Sequence, residues 1–249
     1  SPYIYNGGNL LIEIRHKGFT GTTLSVDANN FPATGYGTDF SACYKSTDTA
    51  TFGALAGSFS TVRISSSEPL ELNLKAYIQA RYSSTANMMV PDTSKVLLRH
   101  SFSPYAPADT AAALSGSNGI GSFNFGQALQ ATAYYFVVRH RNSIETWSAN
   151  TITFVGNDVS TSIAGNPSQA YGNNLIQVDN GPNAYAIYSS DINQDGTVDL
   201  SDGSLIDNDA INFVSGYVLT DNNGDLIVDV ADAVFADNNG FNFVIKITP

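Results

Sequence analysis

An aspartate-rich segment of twelve residues occurs twice near the C-terminal end of the sequence. The segment DINQDGTVDLSD (191–202) returns thirty residues later as DNNGDLIVDVAD (221–232). Each copy has an oxygen-bearing side chain at positions 1, 3, 5, 9 and 12. This is the ligand spacing of an EF-hand-type calcium loop, in which position 7 contributes a main-chain carbonyl. The sequence therefore predicts two Ca²⁺ sites.

The predicted ligands share one chemistry, because all of them are carboxylate, amide or carbonyl oxygens. In the first loop they are Asp191, Asn193, Asp195, the carbonyl of Thr197, Asp199 and Asp202. In the second loop they are Asp221, Asn223, Asp225, the carbonyl of Ile227, Asp229 and Asp232. Hard cations such as Ca²⁺ take six to eight oxygens, so this set fits calcium rather than a softer metal.

Negative charge is concentrated in the same region. Residues 189–249 hold eleven of the 22 acidic residues and one of the 11 basic residues, a net of −10 out of −11 for the whole chain. Such a density of charge repels itself without cations, so we expect this region to fold together with its metal. A solvated acidic tail is the alternative, but interspersed residues such as Val198, Leu205 and Val228 can form a small core.

The tandem loops resemble a dockerin domain, in which two loop-helix calcium repeats carry Asp rather than Glu at position 12. The resemblance covers residues 189–249. It implies a small α-helical, calcium-binding module that docks to a cohesin-type protein. It also implies that positions 10 and 11 contribute to that docking. These positions are Leu200-Ser201 and Val230-Ala231.

Two features differ from the dockerin pattern. The second loop has Gly224 at position 4 and Leu226 at position 6, where the sharp turn favours a glycine with positive φ. A left-handed Leu costs about 1 kcal/mol, so we predict a weaker second site. Gly203 and the Asp-Asn pair at 207–208 interrupt the segment after the first loop, which predicts helices of only about two turns.

The rest of the chain has the alternating or continuous apolar pattern of short β-strands separated by turn residues. The predicted strands are 10–16, 61–64, 70–80, 95–100, 122–125 and 133–140. The predicted fold class is mainly β, with tandem β-sandwiches followed by the small α-helical module. The predicted parts are an N-terminal sandwich portion (1–65), a second sandwich (66–164), a linker or strand (165–188) and the calcium module (189–249).

Both sandwiches resemble modules of bacterial secreted or surface proteins. The second, through 121–125 and 134–140, is similar to small transthyretin-like or Ig-like sandwiches. The first, through 5–21 and 35–40, resembles the second half of a sandwich module. We therefore expect the first sandwich to lack strands and residues 1–20 to exchange a strand with a neighbouring subunit.

Composition and motifs exclude several classes of function. The single Cys43 excludes an internal disulfide framework, and a sequence pI near 4.4 without a basic stripe argues against nucleic acid. The sequence has no apolar run long enough for a membrane span and no nucleophile motif, so we predict that the protein is not an enzyme. Three Arg-His pairs end predicted strands, which is typical of sandwich rims, although a three-His metal site is an alternative. Thr49 and Thr110, in Asp-Thr-Ala triplets, are candidate O-glycosylation sites.

Together these patterns predict a secreted or cell-surface protein without catalytic activity. The leading hypothesis is a structural subunit of an extracellular fibre or surface assembly, held by strand sharing and by calcium. The alternative is a dockerin-bearing binding module that docks to a cohesin-type receptor. A third hypothesis is a glycan-active enzyme or a carbohydrate-binding protein.

Overall fold

The structure, a computed structural model, describes residues 69–249 with their side chains and the backbone of four short strands nearer the N-terminus. The chain divides into two compact units, Ser1–Ser66 and Ser67–Pro249. The strands are β1 (Ala28–Asn30), β2 (Ala42–Tyr44), β3 (Ala54–Ala56), β4 (Ser58–Ser60), β5 (Leu70–Lys75), β6 (Tyr82–Ser83), β7 (Met88–Met89), β8 (Asp92–His100), β9 (Pro107–Ser115), β10 (Ile120–Phe125), β11 (Ala133–His140), β12 (Ser143–Trp147), β13 (Ile152–Thr153), β14 (Asp158–Ser162), β15 (Ile176–Asn180) and β16 (Asn183–Ala186). The helices are α1 (Leu200–Ile211) and α2 (Val230–Phe241).

In the first unit, the four described strands form two antiparallel pairs, β1 with β4 and β2 with β3. Several sequence-based predictions lie outside the described residues. They include the strands at 10–16 and 61–64, the strand exchange by residues 1–20, the first Arg-His pair and the candidate glycosylation site at Thr49.

The second unit contains a β-sandwich. One sheet has the strand order β10-β5-β14, with β14 parallel to β5 and β10 antiparallel to it. The facing sheet has the order β12-β11-β8-β9, and β13 pairs with the start of β11. Both sheets direct their apolar residues into a shared core.

Strict alternation of side chains places this core between the sheets. On β5, Leu70, Leu72 and Leu74 are buried while the residues between them are only partly covered. Tyr134 and Phe136 on β11 belong to the same buried cluster. Because strand side chains alternate between faces, strands such as β5 and β10 contribute every second residue to the core.

The segment predicted as linker or strand, 165–188, packs onto the sandwich. It forms two 3₁₀ turns (Pro167–Gln169 and Tyr171–Asn173) and the hairpin of β15 and β16. Leu175 and Ile187 from this segment are buried in the sandwich core. The segment therefore brings the chain directly from the sandwich to the first predicted calcium loop.

The predicted fold class, mainly β with a C-terminal helical module, is confirmed, but two predicted lengths are wrong. Each helix has twelve residues, about three turns rather than two. A capping box stabilises the start of each helix. In α1 this stabilisation outweighs the helix-weakening effect of Gly203 and of the Asp-Asn pair at 207–208. The strand predicted at 70–80 ends at Lys75, and Gln79–Arg81 form a 3₁₀ turn instead of continuing the strand.

Neither helix among the described residues is long and apolar enough to span a membrane.

We expect Leu72→Ala to lower the free energy of unfolding by about 3 kcal/mol, because it leaves a cavity at a fully buried position. Leu114→Ala is the matched control, since Leu114 on β9 is 65% exposed, and we expect a change below about 0.5 kcal/mol. Urea unfolding of the full chain measures both. Equal losses in the two variants would contradict the assigned core.

Candidate metal centre

The carboxylate at position 12 closes each loop in the same way. Asp202 Oδ1 accepts hydrogen bonds from the amides of Ile192 (2.8 Å) and Asn193 (3.1 Å), and its Oδ2 accepts from the Asp199 amide at 3.0 Å. In the second loop, Asp232 accepts from the equivalent amides at 2.7, 3.1 and 3.0 Å. Asp at this position therefore ties the beginning of each loop to the beginning of its helix.

Side chains within each loop fold back on the backbone. Asn193 Oδ1 accepts from the Asp195 amide, and Asp195 Oδ1 accepts from the Thr197 amide, both at 2.9 Å. Asn223 and Asp225 repeat this pattern at 2.8 and 2.9 Å. These short-range bonds give both loops the same turns and turn the oxygens of positions 3 and 5 toward the interior of their own loop.

The two repeats brace each other across the module. The Val198 amide donates to the carbonyl of Val244 at 2.9 Å, and the Val228 amide donates to the carbonyl of Val214 at 3.1 Å. Each bond joins position 8 of one loop to the segment that follows the helix of the other repeat. The predicted carbonyl ligands beside them, Thr197 and Ile227, are held in place by these bridges.

The residue at position 6 of each loop has the left-handed backbone conformation, with positive φ, that is expected from the sharp turn. Gly196 has φ +94°, which costs glycine nothing. Leu226 adopts φ +70° at the same place in the second loop, so that loop carries the strain expected from the sequence.

Carboxylates crowd around the first position of each loop. Burial, followed by the charges of Asp202 and Asp195, raises the pKa of Asp191 to about 7. Asp191 Oδ1 is buried and has no hydrogen-bond partner within residues 69–249. Burial also raises the pKa of Asp232 in the second loop. A buried carboxylate oxygen without a donor, beside two further carboxylates, is an environment that a cation would stabilise.

The oxygen-only donor set therefore fits a hard cation such as Ca²⁺. Among residues 69–249, no group of three or more His, Cys, Asp or Glu side chains is already gathered tightly enough to hold a metal. Asp199 and Asp229 are turned toward the helix starts, where each accepts from the amide two residues later at 2.7 Å. Calcium binding thus requires side-chain rotations within the loops, and occupancy of both sites stays a prediction.

A buried ionic cluster, which we call the Asp92 cluster, lies where the sandwich meets the second loop. Asp92 pairs with Arg81 Nη2 at 2.8 Å and with Arg141 Nε at 3.0 Å. The ring of His140 contacts it at 3.0 Å, and the Tyr217 hydroxyl donates to it at 2.6 Å. Four side chains from three separate segments of the sequence therefore converge on one carboxylate.

The Asp92 cluster has a defined charge state. Burial alone would raise the pKa of Asp92, but hydrogen bonds from His140, Tyr217 and Arg141 lower it below its usual value. Burial lowers the pKa of His140, whose ring lies between Asp92 Oδ2 at Nε2 and the Ser143 hydroxyl at Nδ1. One negative charge thus faces two guanidinium groups, which leaves positive charge directed at the second loop.

A second polar contact attaches α2 to the sandwich. Gln79 and Asn239 exchange side-chain hydrogen bonds of 3.3 and 2.7 Å, and Asn239 also donates to the Ser189 carbonyl at 2.8 Å. Sequence reasoning missed this pair and the Asp92 cluster. Their members lie far apart in the chain, and the one local signal was the charged stretch 139–142 at the exit of β11.

The remaining candidate positions have ordinary environments. His100 stacks on Phe102 with ring centroids 5.5 Å apart, while His140 is enclosed in the Asp92 cluster. The described histidines are therefore not brought together as a metal site. Thr110 is exposed on β9, and Asp109 beside it accepts amide hydrogen bonds from Gln127 and Ala128. Glycosylation at Thr110 stays a prediction.

No protein-family model and no curated protein matches the chain. Among solved structures, it is similar to a chain of a type II cohesin–X–dockerin complex from Acetivibrio cellulolyticus, a C-terminal interface mutant, with 14% identity and a TM-score of 0.42 over 70% of this chain and 99% of that one. An N-terminal interface mutant of that complex matches with 11% identity and a TM-score of 0.38 over 71% and 100%. Similarity at this level assigns no function.

We expect calorimetry to find two Ca²⁺ ions per chain and one in each of the variants Asp191→Ala and Asp221→Ala, because position 1 supplies a ligand to each loop. The site that remains in Asp221→Ala should be the tighter one, since the first loop has glycine at position 6. An unchanged stoichiometry in both variants would show that the loops are assigned wrongly.

Exchanging residues at position 6 should move the two affinities in opposite directions. Gly196→Ala introduces a left-handed strain of about 1 kcal/mol, and because we expect loop folding to accompany binding, calcium at the first loop should weaken about fivefold. Leu226→Asn relieves strain, because Asn enters the left-handed region more easily, and should tighten the second site. Parallel shifts in both variants would contradict this account.

Proposed function

We propose that this chain is a non-catalytic, calcium-dependent binding protein that works outside the cell and docks to a cohesin-type protein through its helix pair. The observation that carries the proposal is a set of large apolar side chains exposed at equivalent positions of the two repeats. They are Leu200 (85% exposed) and Val230 (74%), Ile211 (74%) and Phe241 (83%), and Phe213 (89%) and Phe243 (84%).

This exposure is unusual for a soluble module. Single exposed apolar residues are common on protein surfaces, but an accumulation of large ones indicates an interaction site. Here three positions are exposed at 74% or more in both copies of a repeat, whereas the equivalent pair Ile206 and Ala236 is buried in the module core. Leu200 and Val230 also occupy position 10, which the dockerin resemblance relates to partner binding.

Three of these six apolar side chains border a groove. A cavity of about 370 Å³ lies between the beginning of α1 and the end of α2, and Leu200, Phe241 and Phe243 line it. Burial of one such side chain stabilises a complex by about 1.5–3 kcal/mol. A partner that covers this face would therefore gain affinity from several side chains at once.

Calcium has a structural role in this proposal. Each helix begins at position 10 of its loop, and Asp202 and Asp232 are at once helix residues and predicted ligands. An ion that holds the ligands would therefore fix the helix starts, and with them Leu200 and Val230. Millimolar extracellular calcium fills loops of this kind without requiring tight affinity.

The buried acidic groups of the sandwich support a non-catalytic role, because ion pairs and hydrogen bonds account for them. Glu145 pairs with Arg139 and accepts from Trp147 Nε1 at 2.9 Å. Asp92 is enclosed by its four donors. A carboxylate held in this way is not available as a general acid or base.

The fibre hypothesis rests on strand exchange by residues 1–20, which lie outside the described part of the chain, and it stays a prediction. Sedimentation in calcium separates it from the binding function. A fibre subunit forms assemblies of increasing size, because donated strands close head to tail, whereas a docking module without its partner stays monomeric.

We expect the chain to bind a type II cohesin module in calcium and to lose binding in EDTA. Leu200→Asp combined with Val230→Asp should weaken binding at least about tenfold, because it places charges in the apolar centre of the interface. Both repeats are changed together because their surfaces are equivalent, so that one could replace the other. Calorimetry measures the affinities.

Val155→Asp is the matched control, since Val155 is a 90% exposed apolar residue of the sandwich far from the helices in sequence. It should bind like the unmodified chain. Binding that survives both EDTA and the double substitution would overturn the proposed function.

A further inference from the structure

The two loops differ in what holds the main-chain carbonyl of their first ligand. In the first loop, Gln194 at position 4 donates to the Asp191 carbonyl, so that the loop supplies its own donor, and the same nitrogen also donates to the Ser143 carbonyl of β12 at 3.3 Å. The second loop has Gly224 at position 4 and cannot do so. The Asp221 carbonyl instead accepts from Arg141 Nη2 at 3.0 Å and from Asn142 Nδ2 at 2.9 Å, both from the turn between β11 and β12.

Glycine at position 4 of the second loop follows from this arrangement. The residue has φ +84°, and a Cβ there would lie 2.3 Å from Arg81 Nη1. No side chain fits unless the guanidinium moves. The two loops therefore differ at position 4, Gln194 against Gly224, because the sandwich approaches the second loop at that position.

The donors from the sandwich are themselves held rigidly. Arg141 is fixed by its ion pair with Asp92 and by stacking over the Tyr217 ring at 4.3 Å. Asn142 is fully buried, its side-chain amide also donates to the Leu219 carbonyl at 3.2 Å, and its main-chain carbonyl accepts from the Ser190 amide at 2.7 Å. Neither side chain can follow the loop if the loop moves.

Arg141 also reaches the side chain of the first ligand. Its Nη2 lies 3.3 Å from Asp221 Oδ2, while Asp221 Oδ1 accepts from the Gly224 amide at 2.8 Å. The carboxylate is thus held from both sides in one orientation. Substitution of groups that fix a metal ligand in this way typically weakens metal affinity about 10- to 100-fold.

We propose that Arg141 and Asn142 are positioning residues of the second calcium site, so that side chains of the sandwich hold the first carbonyl of this loop, whereas a side chain of the loop itself holds that of the first loop. The inference rests on the proposed calcium binding and deepens it. It predicts that the strained second loop reaches its binding geometry through the sandwich, and that its occupancy is linked reciprocally to the turn between β11 and β12.

The test uses a substitution of Asn142, because its removal is expected to change calcium affinity in one direction only. Removal of the Arg141 charge would favour calcium by Coulomb attraction and disfavour it by lost positioning, whereas Asn142 is neutral. In the full chain carrying Asp191→Ala, which leaves only the second site, Asn142→Ala should weaken Ca²⁺ binding about tenfold or more by calorimetry. Arg141→Lys retains the charge but not the forked donor, and should act in the same direction.

Two controls separate positioning from general destabilisation. Asn142→Ala in the full chain carrying Asp221→Ala, which leaves only the first site, should change its affinity by less than about twofold, within the usual effect of a distant substitution. Asn174→Ala removes another buried amide, which donates to the Ile245 carbonyl at 3.0 Å, and should leave the second site unchanged.

Circular dichroism checks that each variant is folded. If Asn142→Ala does not fold, the calcium affinity of Arg141→Lys decides the test. An unchanged second site in the folded variants would overturn this inference while leaving the proposed function intact, as would equal weakening of both sites. If the unmodified chain binds no calcium at all, the proposed function and this inference fail together.

Discussion

Repulsion among carboxylates in the two loops is the constraint on which residues 189–249 depend. The Asp191 carboxylate is buried beside Asp202 and Asp195, and one of its oxygens lacks a donor within the described chain. Main-chain bonds brace the two repeats against each other, but they do not neutralise this charge. The small core around Ile206 and Val228 is too limited to outweigh it alone. On our proposal, a hard cation in each loop would remove the repulsion and fix the helix that follows.

The sandwich supplies part of what the second loop lacks. Arg81 and Arg141 bring positive charge to Asp221 and Gly224, and Asp92 keeps both guanidinium groups in place. These contacts join the sandwich to the second predicted calcium loop, and that loop leads into α2. On the proposed function, this attachment would present the exposed apolar side chains of the helices on a rigid base and so reduce the entropy lost on binding a partner.

Local patterns in the sequence predicted the features that depend on local chemistry. The loop spacing, the left-handed Leu226 and the alternating strands β8, β10 and β11 could all be read from neighbouring residues. The helices are longer than predicted, because capping by Asp199 and Asp229 and packing of Ile206 outweigh unfavourable residues within them. The Asp92 cluster could not be predicted, since pairing Arg81 with Asp92, Arg141 and Tyr217 requires knowledge of the fold.

Hydrogen exchange of the full chain, with calcium and with EDTA, tests the central claim most directly. If cations hold the loops together, amides in 189–249 exchange fast in EDTA and become protected in calcium, and the turn at 141–142 gains protection with them. The core strands β8 and β11 should stay protected in both conditions. Equal protection of 189–249 with and without calcium would contradict the account, because the module would then fold without neutralising its carboxylates.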